Sequence, residues 1–332
     1  MTRQRGISLV EVVVAIGVIA LLLAILIPAV QSARETARQA QCRNHLRQIL
    51  VATQSFHATE GTLPSLYNGT SLPYPLQEWD LFHMHSWRAE LLPYLDQAPL
   101  KEKIRWDELA TADANLAVAQ TPVAVFLCPS GGGPERVGRG LKHGAIGLPR
   151  DQLQEQHRYS VVRSDYDAMA GIQVLPRPWP EGANADSVDH VRWGIWGWPV
   201  FNTRTTSGSR LLGYRRGKFS DVTDGLSNTL AVVERAGKPV DLLSGKPVVT
   251  PDNPDAEYPG QVGWSVSNSF PWSTNRDGVG VNVSNSRGIY AFHPGGANVG
   301  VADGSVRFLS EATDFGVLEA LFGRSEGRPV PE

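Results

Sequence analysis

The sequence predicts an α+β protein shaped like a lollipop. One long N-terminal helix, part membrane span and part amphipathic, packs on a mainly antiparallel β head. Three observations predict it. Val12 to Val30 are nineteen consecutive residues without a charge or a strongly polar group. Ala29 to Thr59 contain neither Gly nor Pro and are rich in Ala, Gln, Arg and Leu, all good helix formers. Near the other end, Asp303-Gly304 separates two alternating apolar arms, the pattern of a β-hairpin.

Composition sets the outer limits. A chain of 332 residues, 42% hydrophobic and of net charge −2, can bury a large core and is not disordered. Its 2 Cys cannot form a disulfide framework. Residues 1–60 carry six Arg and three Glu, so the remaining chain is net acidic. An acidic body argues against a nucleic-acid partner.

The apolar run is about as long as a bilayer core is thick. A cleaved secretory signal would have a shorter apolar region, roughly 7–15 residues, followed by a small-x-small site. A buried core helix is the other alternative, at an unusual place behind Arg3 and Arg5. A membrane helix is the best reading, with residues 7–30 in the membrane and 31–60 as its amphipathic continuation. A carboxylate such as Glu11 costs on the order of 2.5–3.5 kcal/mol at the centre of a span and less at the interface. It therefore calls for an interfacial position or a partner.

Beyond the span, Cys42, Leu46, Ile49, Thr53 and Phe56 follow one another at spacings of 4, 3, 4 and 3, a helical stripe. Gly61 is a natural C-cap and Pro64 a stop. A helix from Ile7 to Ala58 would be roughly 78 Å long at about 1.5 Å per residue.

The head, 61–332, reads as β-rich. Asn298 to Ala302 and Ser305 to Leu309 flank Asp303-Gly304, a two-residue hairpin signature, with Val299 and Val301 alternating on one arm and Val306 and Phe308 on the other. Gly288 to Phe292 is a preceding strand turned by His293-Pro-Gly-Gly296, which places the hairpin motif at 288–309. Asp314 to Phe322 is a short helix closed by Gly323. Val123 to Leu127 is expected as a strand, as is Leu226 to Val233 after the turn Asp224-Gly225. Trp87 to Leu95 and Asp113 to Gln120 are expected as short helices. Residues 130–220, with many Gly, Pro and Trp, read as irregular.

Candidate chemical sites are few. Asp221, Asp224, Asn228, His293 and Asp303 offer ligands that would suit Ca²⁺, without the spacing of an EF-hand. Asp-Gly pairs are turn formers first, so no cofactor is assigned and Ca²⁺ stands as the alternative. His293 is expected to fix the hairpin by hydrogen bonds. His83-Met-His85 lacks a third ligand. Trp179, Trp193, Trp196 and Trp198 are either a sugar-stacking surface or core packing. No nucleophile elbow, phosphate loop, dinucleotide fingerprint or metalloprotease helix is present, and no catalytic residue or enzymatic activity is predicted.

The string Arg5-Gly6-Ile7-Ser8-Leu9-Val10-Glu11 resembles the leader junction of type IV pilins and type II secretion pseudopilins. That junction has a short basic leader, Gly at the cut, an apolar first mature residue, and then Ser/Thr-Leu-apolar-Glu. Ile7 stands where Phe is usual. Pro28 falls twenty-two residues after the cut, where these families carry a helix-bending Pro.

The resemblance implies removal of leader 1–6 by a prepilin peptidase/N-methyltransferase, N-methylation of Ile7, and pairing of Glu11 with the Ile7 amine of a neighbouring pilin-like subunit. It also implies a single-pass protein of the bacterial inner membrane, with a cytoplasmic leader and a periplasmic head that is extracellular after filament assembly. Arg34, Arg38, Arg43 and Arg47 outnumber Arg3 and Arg5, so charge alone would orient the span the other way; the leader motif is taken as decisive. A membrane-tethered protein that binds an extracellular ligand, such as a glycan, is the alternative function.

His293, nine residues, then Asp303-Gly304 resembles the prepilin-processing-associated H-x9-DG motif, found in a large group of pilin-like proteins of unknown function. Gln41-Cys42-Arg-Asn-His-Leu, Ser86-Trp87, Phe126-Leu127-Cys128-Pro129-Ser130 and Asp224-Gly225-Leu-Ser227-Asn228-Thr229 with Glu234 agree with it.

Cys42 lies on the apolar stripe, twelve residues beyond Val30 and so roughly 18 Å outside the bilayer core at about 1.5 Å per residue. If the leader sets the orientation, that is an oxidising compartment, and Cys42 and Cys128 are expected to form a disulfide. Two buried free thiols are the alternative.

Overall fold

The computed structural model describes residues 9–68, 83–131, 137–142, 154–173, 191–201, 211–238, 240, 242–248, 263–267, 269, 272–273 and 278–323. The predicted junction Gly6–Ile7 and Trp179 lie outside them.

One stem helix, Leu9–Glu60, runs for 52 residues and continues through Pro28. Its two halves meet different surroundings. From Leu9 to Val30 the apolar side chains are exposed all round, Leu9 by 81% and Ile25 by 65%, and no described part of the head covers them. This segment is long and apolar enough to cross a membrane. Further on, Cys42, Leu46, Ile49, Leu50, Thr53 and Phe56 are buried, the stripe that the 3.6-residue period requires. The helix ends where Gly61 turns left-handed at φ 68° and its N–H donates to the His57 carbonyl.

The stem lies on a four-stranded antiparallel sheet in the order Val306–Ser310, Gly296–Val301, Leu230–Glu234, Tyr166–Ala168. Leu230 pairs with Val301 but Val232 with Gly300, so Ala231 is an extra residue in its strand. This bulge lets both Ala231 and Val232 face the stem core, with Leu46, Ile49, Trp87, Phe126 and Trp196. Leu230 and Val233 face the other way, into a second core with Val299, Leu318, Leu321 and Phe322. The sheet is therefore covered on one face by the stem and on the other by the C-terminal helix Phe315–Phe322, which Asp314 caps by accepting from Gly316 N–H. At Gly300 the stem comes so close that a Cβ would lie 2.9 Å from the Leu50 side chain.

Several expectations are corrected. Val123 to Leu127 is not a strand but a 3-10 turn at Ala124–Phe126, held between Pro122 and Pro129. Leu226–Asn228 is likewise a 3-10 turn, and its strand begins only at Leu230. Gly288 to Phe292 forms no strand; Tyr290 makes an isolated bridge to Arg235 while Ile289 and Ala291 fill the core. The hairpin loop is four residues, Ala302 to Ser305, with Asp303-Gly304 at its centre. On the outer arm Leu309 is the buried residue and Phe308 is 42% exposed. The region 131–220 contains strands, among them the hairpins Val137–Leu141 with Arg158–Val162 and Gly197–Phe201 with Leu211–Arg216.

Candidate functional site: a clasp between stem and head

Leaving the exposed span, the stem reaches the head at Glu35. The His293 imidazole is fully buried there between two carboxylates. Nδ1 lies 2.8 Å from Glu35 Oε1 and Nε2 lies 3.3 Å from Glu234 Oε1. Glu35 also accepts from Arg38 Nε one turn along at 2.7 Å and from Ser130 Oγ at 3.0 Å. Glu234 ends its strand on the stem-facing side of the sheet. Its Oε2 accepts from the Asn298 backbone N–H at 2.6 Å, which fixes the carboxylate across the ladder.

Cys42, on the stem, and Cys128, after the 3-10 turn, are joined in a disulfide with Cα atoms 5.4 Å apart. Cys128 Sγ lies 3.7 Å from His293 Nε2. The Cys128 backbone N–H donates to Asp165 Oδ2, and Asp165 in turn pairs with the buried Arg163 at 2.9 Å.

The electrostatics favour a charged imidazole. Burial works against the His293 cation, but hydrogen bonds and charge from Glu234, then Glu35, outweigh it and raise its pKa. For Glu35 burial pushes up, yet the hydrogen bonds from His293, Arg38 and Ser130 hold the carboxyl below its ordinary value. Asp165 goes the other way, raised by burial despite Arg163.

The second half of the predicted motif lies elsewhere. Asp303 Oδ1 accepts from Ser305 N–H at 2.8 Å, and hydrogen bonds from Ser305 and Ser227 keep its pKa low against the effect of burial. The Asp303 and Ala302 N–H groups donate to the carbonyls of Leu226 and Thr229, so the Asp224–Thr229 turn and the hairpin loop form one unit. Gly225 has φ 92°, and Asn228 N–H donates to its carbonyl. Asp221 belongs to a separate 3-10 turn, Phe219–Asp221. His293 and Asp303 stand at opposite ends of the strand Gly296–Val301, roughly 20 Å apart at about 3.3 Å per residue. The five residues considered as Ca²⁺ ligands therefore do not converge. Among the described residues, the metal-ligating side chains that do converge are Cys42, Cys128, Glu234 and His293, with ligand atoms all within 4.8 Å of one another.

The sequence reading missed the buried ion pairs behind the clasp. Arg88, itself fully buried, pairs with Asp167 at 2.6 Å and donates to the Tyr166 carbonyl; Arg235 pairs with the other Asp167 oxygen. Glu90 pairs with Arg216 at 2.7 Å. The Arg88 and Glu90 positions, beside the noted Ser86-Trp87, were the available signal. His83 and His85 do not share a ligand: His83 Nδ1 meets Thr111 Oγ1, and His85 Nε2 meets the Glu108 carbonyl. Trp196 is core, its indole N–H donating to the Ala231 carbonyl. Glu11 lies in the first described turn of the stem, and Pro28 lies within the exposed span.

Two family models match the chain. One, described as protein of unknown function (DUF1559), matches residues 31–316. The other, described as prokaryotic N-terminal methylation motif, matches residues 1–27 and supports a prepilin-type leader. No curated protein and no solved structure matches. The methylation motif and the apolar helix together fit a membrane-anchored protein.

Proposed function

We propose that this chain, which belongs to the family described as protein of unknown function (DUF1559), is a pilin-like structural subunit of a type IV pilus-like or type II secretion filament. One observation carries the reading. A single helix is bare over its apolar first part and locked to a folded head over its second part by a disulfide and a buried ion cluster. Such a bare surface needs lipid or neighbouring helices, and the methylation motif at its start is the signal for processing and assembly.

In this reading the prepilin peptidase cuts between Gly6 and Ile7 and methylates the new amine. Glu11 then pairs with that amine on the adjacent subunit; two opposite charges are tolerated in lipid far better together than singly. The chain sits in the inner membrane with a periplasmic head, and the head is displayed as the stem packs into a filament. Its role is structural rather than enzymatic.

N-terminal sequencing of the mature protein tests this. It should begin at Ile7 with an N-methyl group, and Gly6→Leu should block the cut. An intact Met1 in cells with an active prepilin peptidase, or a mature start near Ala33, would overturn the reading. Electron microscopy of surface filaments, with subunits identified by mass spectrometry, tests assembly. A processed chain found only as a monomer would favour the tethered ligand-binding head instead. Trp196 could not contribute a stacking surface there, because it is buried.

A further inference from the structure

The geometry points to a redox-gated zinc site at the clasp: when the Cys42–Cys128 disulfide is reduced, the two thiolates, His293 Nε2 and Glu234 Oε1 hold one Zn²⁺. The donor set is two sulfurs, one imidazole nitrogen and one carboxylate oxygen, the softness and number that tetrahedral zinc prefers over Ca²⁺ or Mg²⁺.

The distances fit. Zinc bonds of about 2.0–2.3 Å at tetrahedral angles place neighbouring ligand atoms roughly 3.3–3.8 Å apart. Here His293 Nε2 lies 3.3 Å from Glu234 Oε1 and 3.7 Å from Cys128 Sγ. Those two edges of the tetrahedron already stand in the oxidised protein. The changes required are that the two sulfurs, once unbonded, separate to about the same spacing and that the remaining ligand pairs, all within 4.8 Å, close to it.

The outer shell is also in place. A zinc-bound histidine typically donates its other ring N–H to a carboxylate, which fixes its tautomer and orientation. His293 Nδ1 has Glu35 Oε1 at 2.8 Å, and Glu35 is held in turn by Arg38 and Ser130. Glu234 can offer Oε1 while Oε2 remains on the Asn298 backbone N–H. All four ligating residues are buried, so the ion would be shielded from competing water.

The chemistry balances with a dithiol as the electron source. Thiol–disulfide exchange opens the Cys42–Cys128 bond to two thiols, and the dithiol leaves as its own cyclic disulfide. Zinc entry then displaces both thiol protons and the Nε2 proton of the charged imidazole to solvent, so that Nε2 binds through its freed lone pair while Nδ1–H stays on Glu35. Reoxidation by a disulfide-bearing oxidant reverses the sequence and releases the ion. The head would thus keep its tie to the stem in both redox states, by a covalent bond in one and by a metal in the other.

The full-length chain in detergent micelles tests this. One sample is kept oxidised; the other is reduced with a phosphine, desalted without oxygen, and titrated with Zn²⁺ and with Co²⁺ as a spectroscopic substitute. The reduced chain should take up one equivalent, at least about 100-fold more tightly than the oxidised chain. Co²⁺ should give thiolate-to-metal charge-transfer absorption. Glu35→Gln should weaken binding about 10–100-fold while keeping the spectrum, as loss of an outer-shell partner does. His293→Ala should weaken it further. Tryptophan fluorescence from the buried Trp87, Trp196 and Trp264 reports folding. If the reduced chain unfolds, one equivalent of zinc should restore the signal. Equal uptake by oxidised and reduced chains, a cobalt spectrum without thiolate bands, or failure of zinc to refold an unfolded reduced chain would each overturn the proposal.

Discussion

His293 Nδ1 lies 2.8 Å from Glu35 Oε1, joining two residues 258 positions apart and tying the start of the hairpin to the stem where it leaves the exposed span. The other end of the same motif also meets the stem, since a Cβ at Gly304 would lie 2.7 Å from the Gln54 side chain. Glu35 and Gln54 are roughly 28 Å apart along a helix rising about 1.5 Å per residue. Between the two contacts the strand Gly296–Val301 accounts for roughly 20 Å at about 3.3 Å per residue, and the turn residues at its two ends reach the rest of the way to the stem.

Removing one side of this clasp should destabilise the head. Glu35→Ala leaves the buried His293 without its Nδ1 partner, a loss of about 1–3 kcal/mol. Arg38→Ala breaks a half-exposed pair, its own side chain 41% accessible, and should stay below about 1 kcal/mol. Urea unfolding of both variants checks the order; an Arg38 effect equal to or larger than that of Glu35 would contradict it.

The disulfide should carry a larger share. Cys42 and Cys128 close a loop with a sequence separation of 86. In the chain-entropy model such a loop stabilises by at most about 4–5 kcal/mol. Non-reducing peptide mapping should find residues 42 and 128 in one linked pair. Reduction without added metal should lower the unfolding midpoint by more than Glu35→Ala does.

Much of this was legible because periodicity survives in a linear chain. The stripe Cys42, Leu46, Ile49, Thr53 and Phe56 is buried as its spacing requires. Short apolar runs carry no such signal: Val123–Leu127 and Gly288–Phe292 are apolar because they fill cores, and burial alone does not choose a strand over a 3-10 turn or an irregular segment. His293 was readable as a hydrogen-bonding residue, but its partners, Glu35 and Glu234, come from two other elements. Asp167 and Arg235 were invisible for the same reason, and Arg88, though it stands beside Ser86-Trp87, gave no sign of its partner. A charge in sequence looks solvated until the fold brings its counter-charge to it.

The close approach at Gly300 gives a packing test. Gly300→Val would push its side chain into Leu50, whose terminal carbons lie 2.9–3.2 Å from the position of an added Cβ. Overpacking of this kind typically destabilises by about 1–3 kcal/mol. Leu50→Ala alone should cost about 2–5 kcal/mol through the cavity it leaves. Because the two side chains compete for one space, the double variant should be less destabilised than the sum of the singles. Additive effects in the double-mutant cycle would show that stem and strand do not meet there.

His85 should make the head acid-sensitive in a defined window. Burial lowers its pKa from 6.5 to about 4, opposed only partly by its hydrogen bond to the Glu108 carbonyl. Below pH 6.5 the unfolded chain takes up this proton while the folded chain refuses it until about pH 4. Its contribution is therefore intact above pH 6.5 and is lost as pH falls through that interval, on the order of 3 kcal/mol. His85→Gln, which keeps a donor for the Glu108 carbonyl but cannot titrate, should flatten the stability profile between pH 6.5 and 4. An unchanged profile would mean that His85 is not the group responsible.

Glu11 should matter for assembly and not for folding. It lies thirty-one residues before Cys42, the first residue of the buried stripe, roughly 46 Å up a helix rising about 1.5 Å per residue. Among the described residues no head side chain covers the bare span, so Glu11→Gln should leave the urea midpoint of the head within about 0.5 kcal/mol of the parent, as for substitutions remote from the core. In a membrane, however, the uncharged side chain would leave the Ile7 amine of the neighbouring subunit without its counter-charge. The variant should be cut and methylated normally yet be depleted from sheared surface filaments, measured by immunoblotting against the membrane fraction. Wild-type incorporation of Glu11→Gln would remove the charge pairing from the assembly mechanism, and a shifted urea midpoint would place Glu11 in the fold instead.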